Sequence, residues 1–206
     1  MPLPRLLVAS TNAKKLKELR DLLTGLPFEV VGLADFSNIR EVPEDGQTFE
    51  ENAIAKARGY AKQTGLLTLA EDSGLCCDAL EGAPGIYSAR FSGLDKDDHA
   101  NNLKVLRLLE KMPDNCRGAH FKSAVAIAGP DQVFGVVSGE VHGFVNKSLS
   151  GSQGFGYDTL FYYPPFGKTF GEVPAEMKYQ VSHRFKALQK ARTILEKWWA
   201  VQELNL

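Results

Sequence analysis

The sequence predicts a mixed α/β fold built on a central sheet, and three observations predict it. An apolar run, Leu6–Ala9, breaks at Ser10-Thr11-Asn12 and gives way to Leu16, Leu19, Leu22 and Leu23 at helical spacing, which reads as strand, turn and helix. A capped helix beginning at Thr48 leads into a second apolar run, Leu66–Ala70. Phe121–Ala128 and Val133–Val141 read as strands joined by the turn Gly129-Pro130-Asp131. That antiparallel hairpin argues against a purely parallel sheet.

At 206 residues the chain is long enough for one sizeable core, or for one domain with two lobes. Lysine and arginine number 24 against 25 acids, a net charge of -1. That balance argues against bulk nucleic-acid binding and against a polybasic membrane patch. No apolar run approaches the length of a membrane span, and the N-terminus lacks a signal peptide's apolar region. Cys76, Cys77 and Cys116 are odd in number and lack Cys-x-x-Cys spacing. Reduced thiols in a cytoplasmic protein are the expectation, without disulfides or structural zinc.

Along the chain, the first helix carries Lys14 and Lys15 in its opening turn and ends at Gly25. Cations there oppose the helix macrodipole, a conflict that disappears if free backbone N–H groups, hydroxyls and lysine bind an anion. Phe28–Leu33 is the next strand, followed by a loop through Pro43-Glu44-Asp45-Gly46. Thr48-Phe49-Glu50-Glu51 has the form of a capping box, with Thr48 bonding the N–H of residue 51 and Glu51 that of residue 48. That helix runs to Thr64, ends at Gly65 and carries Lys56. The strand from Leu66 then delivers Glu71 and Asp72 to a sheet edge, with Ser73-Gly74 as a turn. A carboxylate held there can bind a hard cation or take a proton from water.

Leu75–Leu80 is extended, and Gly82–Gly93 is a shaped loop. Asp95 is the expected cap of a helix running to Lys111, with Leu103, Val105, Leu106 and Leu109 as its buried face. After the hairpin, which His142–Val145 extends, comes a glycine-rich loop from Ser148 to Asp158. Its glycines permit close backbone approach, and Phe155 and Tyr157 offer stacking surfaces to a planar base. Leu160–Tyr163 is a strand and Pro164–Gly167 a turn. A helix starts near Pro174, and Ser182 caps or kinks the last one. Lys178, His183 and Arg184 cluster about that point, suited to an anionic or carbonyl-bearing ligand.

An anion turn, scattered carboxylates, lysines and a glycine-aromatic loop fit a nucleoside triphosphate held with Mg²⁺, which takes one or two carboxylates plus substrate phosphates. There is neither a P-loop nor a dinucleotide glycine fingerprint.

In its ordered motifs the chain closely resembles the inosine triphosphate pyrophosphatases, the Ham1-like family. The resemblance rests on Ala9–Lys15, Thr48–Ala57, Glu71–Leu75, Gly82–Arg90, Gly154–Asp158 and Ser182–Arg184, and spans nearly the whole chain, 1–206, as one domain. It implies an elongated mixed sheet flanked by helices, two lobes with the active-site cleft between them, and a homodimer. It also implies Mg²⁺-dependent hydrolysis of ITP, dITP and XTP to the monophosphate and pyrophosphate, clearing deaminated purines from the nucleotide pool.

By position, the resemblance makes Ser10, Thr11, Asn12, Ala13, Lys14 and Lys15 the triphosphate turn. It makes Asp72 proton acceptor and metal ligand, and Glu44 the second metal carboxylate. Lys56 and Lys15 are implied in catalysis, and Ser73 beside the substrate. Phe155, Gly156, Tyr157, Asp158, Lys178, His183 and Arg184 are implied as base- and sugar-side contacts. Many relatives have Asp where this chain has Glu71. The Ser-His-Arg and Phe-Gly-Tyr-Asp stretches argue against a Maf-like pyrophosphatase, and the full set of acids and lysines argues against a silent nucleotide binder.

Overall fold

The computed structural model describes residues 3–204. β1 (Arg5–Ala9) is buried after its first residue. It lies between two parallel neighbours, β2 (Glu29–Gly32) and β3 (Leu67–Cys77). Leu6 stands opposite Val30 on one side and Leu67 on the other, and Ala9 opposite Ala70. A strand paired on both edges and covered by helices has no polar face, so its sequence reads as an unbroken apolar run. The remaining strands are β4 (Gly118–Ala128), β5 (Val133–Val145), β6 (Phe161–Tyr163) and β7 (Lys168–Thr169). Hydrogen bonding orders the sheet β2-β1-β3-β4-β5-β6-β7. β5–β6 and β6–β7 are antiparallel, so the sheet is mixed, as the sequence predicts. The turn after β4 closes through the Gly129 N–H donating to the Gln132 carbonyl, and β5 extends through His142–Val145 as expected.

The helices start where their caps dictate. α1 (Ala13–Leu23) is capped by Asn12, and α2 (Phe49–Thr64) by Thr48, whose hydroxyl accepts the Glu51 N–H at 3.1 Å. Gly65 ends α2 in the left-handed conformation, φ 72°. The expected capping box is altered in one bond, since Glu51 Oε2 accepts the Gln47 N–H, not that of Thr48. α3 (Asp98–Leu108) is capped by Asp97 instead of Asp95, and Leu103, expected inside, is exposed. α4 (Ala175–Val181) and α5 (His183–Leu204) are separated by Ser182 in an extended conformation.

The strand carrying the two acids departs most from expectation. β3 does not end at Glu71-Asp72. It continues through Ser73-Gly74 to Cys77. Gly74 serves close approach, not a turn: a Cβ there would collide with the Ser88 hydroxyl and the Gly85 carbonyl.

The residues form two compact units. The first comprises residues 1–72, 123–139 and 185–206. In it, Leu19 and Leu23 of α1 and Ala187, Leu188, Ala191 and Leu195 of α5 pack on Leu6, Val8, Leu69, Val125 and Ile127. Each such buried leucine contributes about 1.5–3 kcal/mol. The second unit comprises 73–122 and 140–184. Its core joins Leu75 and Cys77 to Val105, Leu109, Phe121, Tyr157, Phe161 and Phe170.

Cys76, Cys77 and Cys116 are free thiols. Burial pushes Cys76 up to about 11 and Cys77 up to about 12, so both stay protonated and inert. Among the described residues no helix is long and apolar enough to cross a membrane.

Candidate active site

In the first unit, α2 and β3 bring three predicted residues together. Lys56 Nζ lies 3.0 Å from Glu44 Oε2 and 3.4 Å from Asp72 Oδ1. Lys56 and Asp72 are only 8% and 6% exposed. Helical spacing explains the placement: Asn52 and Lys56, four residues apart, share the inward face of α2 with Ala53 and Ala57. Asn52, not among the residues singled out from sequence, donates to Asp72 Oδ2 at 3.1 Å. Its own oxygen accepts the Gly46 N–H at 2.9 Å, which fixes the loop carrying Glu44. A polar side chain one turn before Lys56 on the buried face was the signal available in the sequence.

Adjacent strand residues point to opposite faces, so Glu71 and Asp72 cannot do the same work. Glu71 accepts from the Ser123 hydroxyl on β4 at 2.8 Å and lies 3.5 Å from Lys15 Nζ. Ser123 is a second residue absent from the sequence reading.

Electrostatics separate these carboxylates further. Burial pushes the Asp72 carboxyl above the ordinary aspartate value; Lys56 and Lys15 oppose the shift and Glu44 reinforces it. Burial also acts on Glu44, but Lys56, closer to it, together with Lys15 holds it below the ordinary value. Lys56 is itself raised: burial disfavours its charge, and Asp72 and Glu44 outweigh that. The surroundings therefore disfavour the charged form of Asp72 and favour that of Glu44.

At the start of α1, the Asn12 side chain accepts the N–H groups of Lys14 at 3.0 Å and Lys15 at 3.1 Å. Those two N–H groups are not free, contrary to the expectation for an anion turn. Thr11, Asn12, Ala13 and Lys14 are exposed, Ser10 and Lys15 half-buried, and the first turn of α1 holds no acid.

In the second unit the glycine loop and the α4–α5 junction form another group. Asp158 Oδ2 accepts the Phe155 N–H at 2.9 Å and pairs with Lys178 Nζ at 2.6 Å. Gly154, at φ 74°, presses so closely on Asp158 that a Cβ would collide with its carboxylate. Phe155 is half-buried, with Lys178 Nζ 4.9 Å and the Arg184 guanidinium 5.5 Å from its ring centre. Arg184, 1% exposed, also donates to Ser73 Oγ at 3.4 Å. His183 stacks on Phe121 with ring centres 4.8 Å apart. Tyr157 differs from expectation: its ring is buried in the core and its hydroxyl donates to the Ser88 carbonyl at 2.8 Å. It offers no stacking face, because the loop spends it as an anchor.

Comparison with known proteins accords with these motifs. Residues 6–194 match the model of the Ham1 family. A relative from Desulforamulus reducens named dITP/XTP pyrophosphatase is 48% identical over 200 residues, covering 97% of this chain and 100% of its own. The solved structure of a HAM1 protein from Coxiella burnetii is similar with a TM-score of 0.86 at 37% identity, covering 95% of this chain and 100% of that one. A nucleoside-triphosphatase / dITP/XTP pyrophosphatase from Mycobacterium abscessus gives a TM-score of 0.75 at 45% identity, over 91% and 98% of the two chains. The chain belongs to the Ham1 family.

Proposed function

We propose that this protein is a dITP/XTP pyrophosphatase, hydrolysing ITP, dITP and XTP to the nucleoside monophosphate and pyrophosphate. The observation that carries the chemistry is the group in which half-buried Glu44 and buried Asp72 share the Lys56 ammonium. The phosphates are assigned to this group, to Lys15 and to the Ser10–Lys15 turn. The base and sugar are assigned to Phe155–Asp158, Lys178, His183, Arg184 and Ser73, with Tyr157 and Asp158 acting by holding the loop.

Mg²⁺ fits the donor set: Glu44 and Asp72 supply hard oxygens that share a single ammonium, and substrate phosphates supply the rest. Glu44 and Asp72 would hold it, and when bound it polarises the phosphates. Asp72 accepts the proton of the attacking water as the new oxygen–phosphorus bond forms at the α-phosphate. The bond from that phosphorus to the bridging oxygen breaks, and pyrophosphate leaves. Lys56 and Lys15 offset the negative charge that grows on it. Asn52 orients Asp72 through its amide.

Selectivity follows from donors. Arg184 can donate to the 6-oxo group of hypoxanthine or xanthine and is opposed by the 6-amino group of adenine, a mismatch worth ~10⁴ where a site is built on it. Free thiols accord with a cytoplasmic setting, and the family implies a homodimer. Pyrophosphate release measured across ITP, dITP, XTP, GTP and ATP, with and without Mg²⁺, tests the assignment. Release from the first three only with Mg²⁺ is expected; equal rates on ATP overturn it. Light scattering that returns the 22.6 kDa monomer overturns the dimer.

A further inference from the structure

We infer that Asp98 and Asn102, on the first turns of α3, are positioning residues for base recognition, because they hold both backbone polar groups of Gly156. The Gly156 N–H donates to Asp98 Oδ2 at 2.8 Å, and the Asn102 amide donates to the Gly156 carbonyl at 2.8 Å. The assignment rests on Phe155 being the base platform, as proposed above.

The consequence falls on Phe155. Its own N–H is held by Asp158 Oδ2 at 2.9 Å, which fixes the peptide plane before it. The Gly156 N–H belongs to the plane after it, and Asp98 fixes that one. With both flanking planes anchored, the Cα–Cβ direction of Phe155 is set, and the ring follows with only its own rotamers free. Gly156 takes φ 61°, which lets the chain turn away at once into the buried Tyr157. Asn102 holds the next plane, and the same amide donates to the Asp98 carbonyl at 2.6 Å, tying the two clamp residues together.

Asn102 is costly as a purely structural choice. Asparagine is a poor helix-interior residue. At 2% exposure, its Oδ1 finds no hydrogen-bond partner. Both groups facing its nitrogen are carbonyls, so the amide cannot be turned round to relieve this. A leucine would suit helix and core better; what it lacks is the hold on Gly156.

Steady-state kinetics on dITP and dATP for wild type, Asp98→Ala, Asp98→Asn, Asn102→Ser and Phe155→Ala test the inference, with thermal unfolding of each variant in parallel. Asp98→Ala is expected to lower the dITP-to-dATP ratio of kcat/KM about tenfold, chiefly through KM for dITP. Asp98→Asn keeps an acceptor oxygen and is expected to restore the ratio to within about twofold. An unchanged ratio in Asp98→Ala, beside a KM for dITP raised at least about fivefold in Phe155→Ala, overturns the positioning role alone. An unchanged KM for dITP in Phe155→Ala overturns the base platform, and the positioning role with it. If Asp98→Ala does not fold, Asn102→Ser carries the same comparison.

Discussion

The two groups of functional side chains are built in opposite ways. The first unit sets Glu71 and Asp72 of β3, with Glu44 on a loop fastened by Asn52, against Lys56 on the inward face of α2 and Lys15 at the start of α1. The second sets Lys178 and Arg184 against Asp158 around an aromatic ring on a loop. An acid-rich group on a strand suits a cation and a proton transfer, where small displacements are expensive. A cation-rich group around a ring suits a planar base bearing acceptors. The loop needs external fastening, from Asp158, Tyr157 and α3, because it has no ladder of its own.

The largest expected effect breaks the first group. Asp72→Asn keeps the shape but removes the base, so turnover falls by ~10²–10³ or more in a protein that still folds. Pyrophosphate release near the wild-type rate would return Asp72 to a structural role. Lys56→Met leaves Glu44 and Asp72 facing each other without their shared ammonium. It is expected to cost ~10² in kcat, measured at saturating dITP, and to lower stability as well. A loss confined to stability would separate the lysine from the chemistry.

Phe155→Ala tests the other side of the comparison. Base stacking on an aromatic ring contributes ~1–3 kcal/mol, so KM for dITP should rise at least about fivefold while kcat changes less. A fall in kcat alone would move Phe155 into the chemical step. Asn52→Ala should cost about 1–3 kcal/mol by stranding the Gly46 N–H and one Asp72 oxygen, read by urea unfolding. An unchanged unfolding midpoint would show that Asn52 is dispensable to the loop.

The smallest effect concerns pH. Glu172 accepts the backbone N–H and hydroxyl of Thr169, which hold its carboxyl below the ordinary glutamate value. A depressed folded value contributes stability above the unfolded pKa and loses it as pH falls through the folded one. Glu172→Gln should therefore flatten slightly the acid-side decline of the unfolding midpoint. An identical decline would assign that limb to other acids.

Much of the molecule was legible without coordinates. The unbroken apolar runs of β1 and β3, the helix starts at Asn12 and Thr48, and the end at Gly65 follow from burial and local backbone chemistry, which act within a few residues. Lys56 and Asp72 could be named as partners only by family resemblance; no local rule relates residues 16 apart. The tertiary structure decided what depends on neighbours distant in sequence. β3 runs on past the acids because Gly74 can pass under Gly85 and Ser88. Asn52, Ser123 and the α3 clamp matter through contacts 6 to 58 residues away. Tyr157 becomes core instead of a stacking face because its hydroxyl finds the carbonyl of Ser88. Composition and periodicity specify which faces are buried; only packing specifies which polar group each buried face meets.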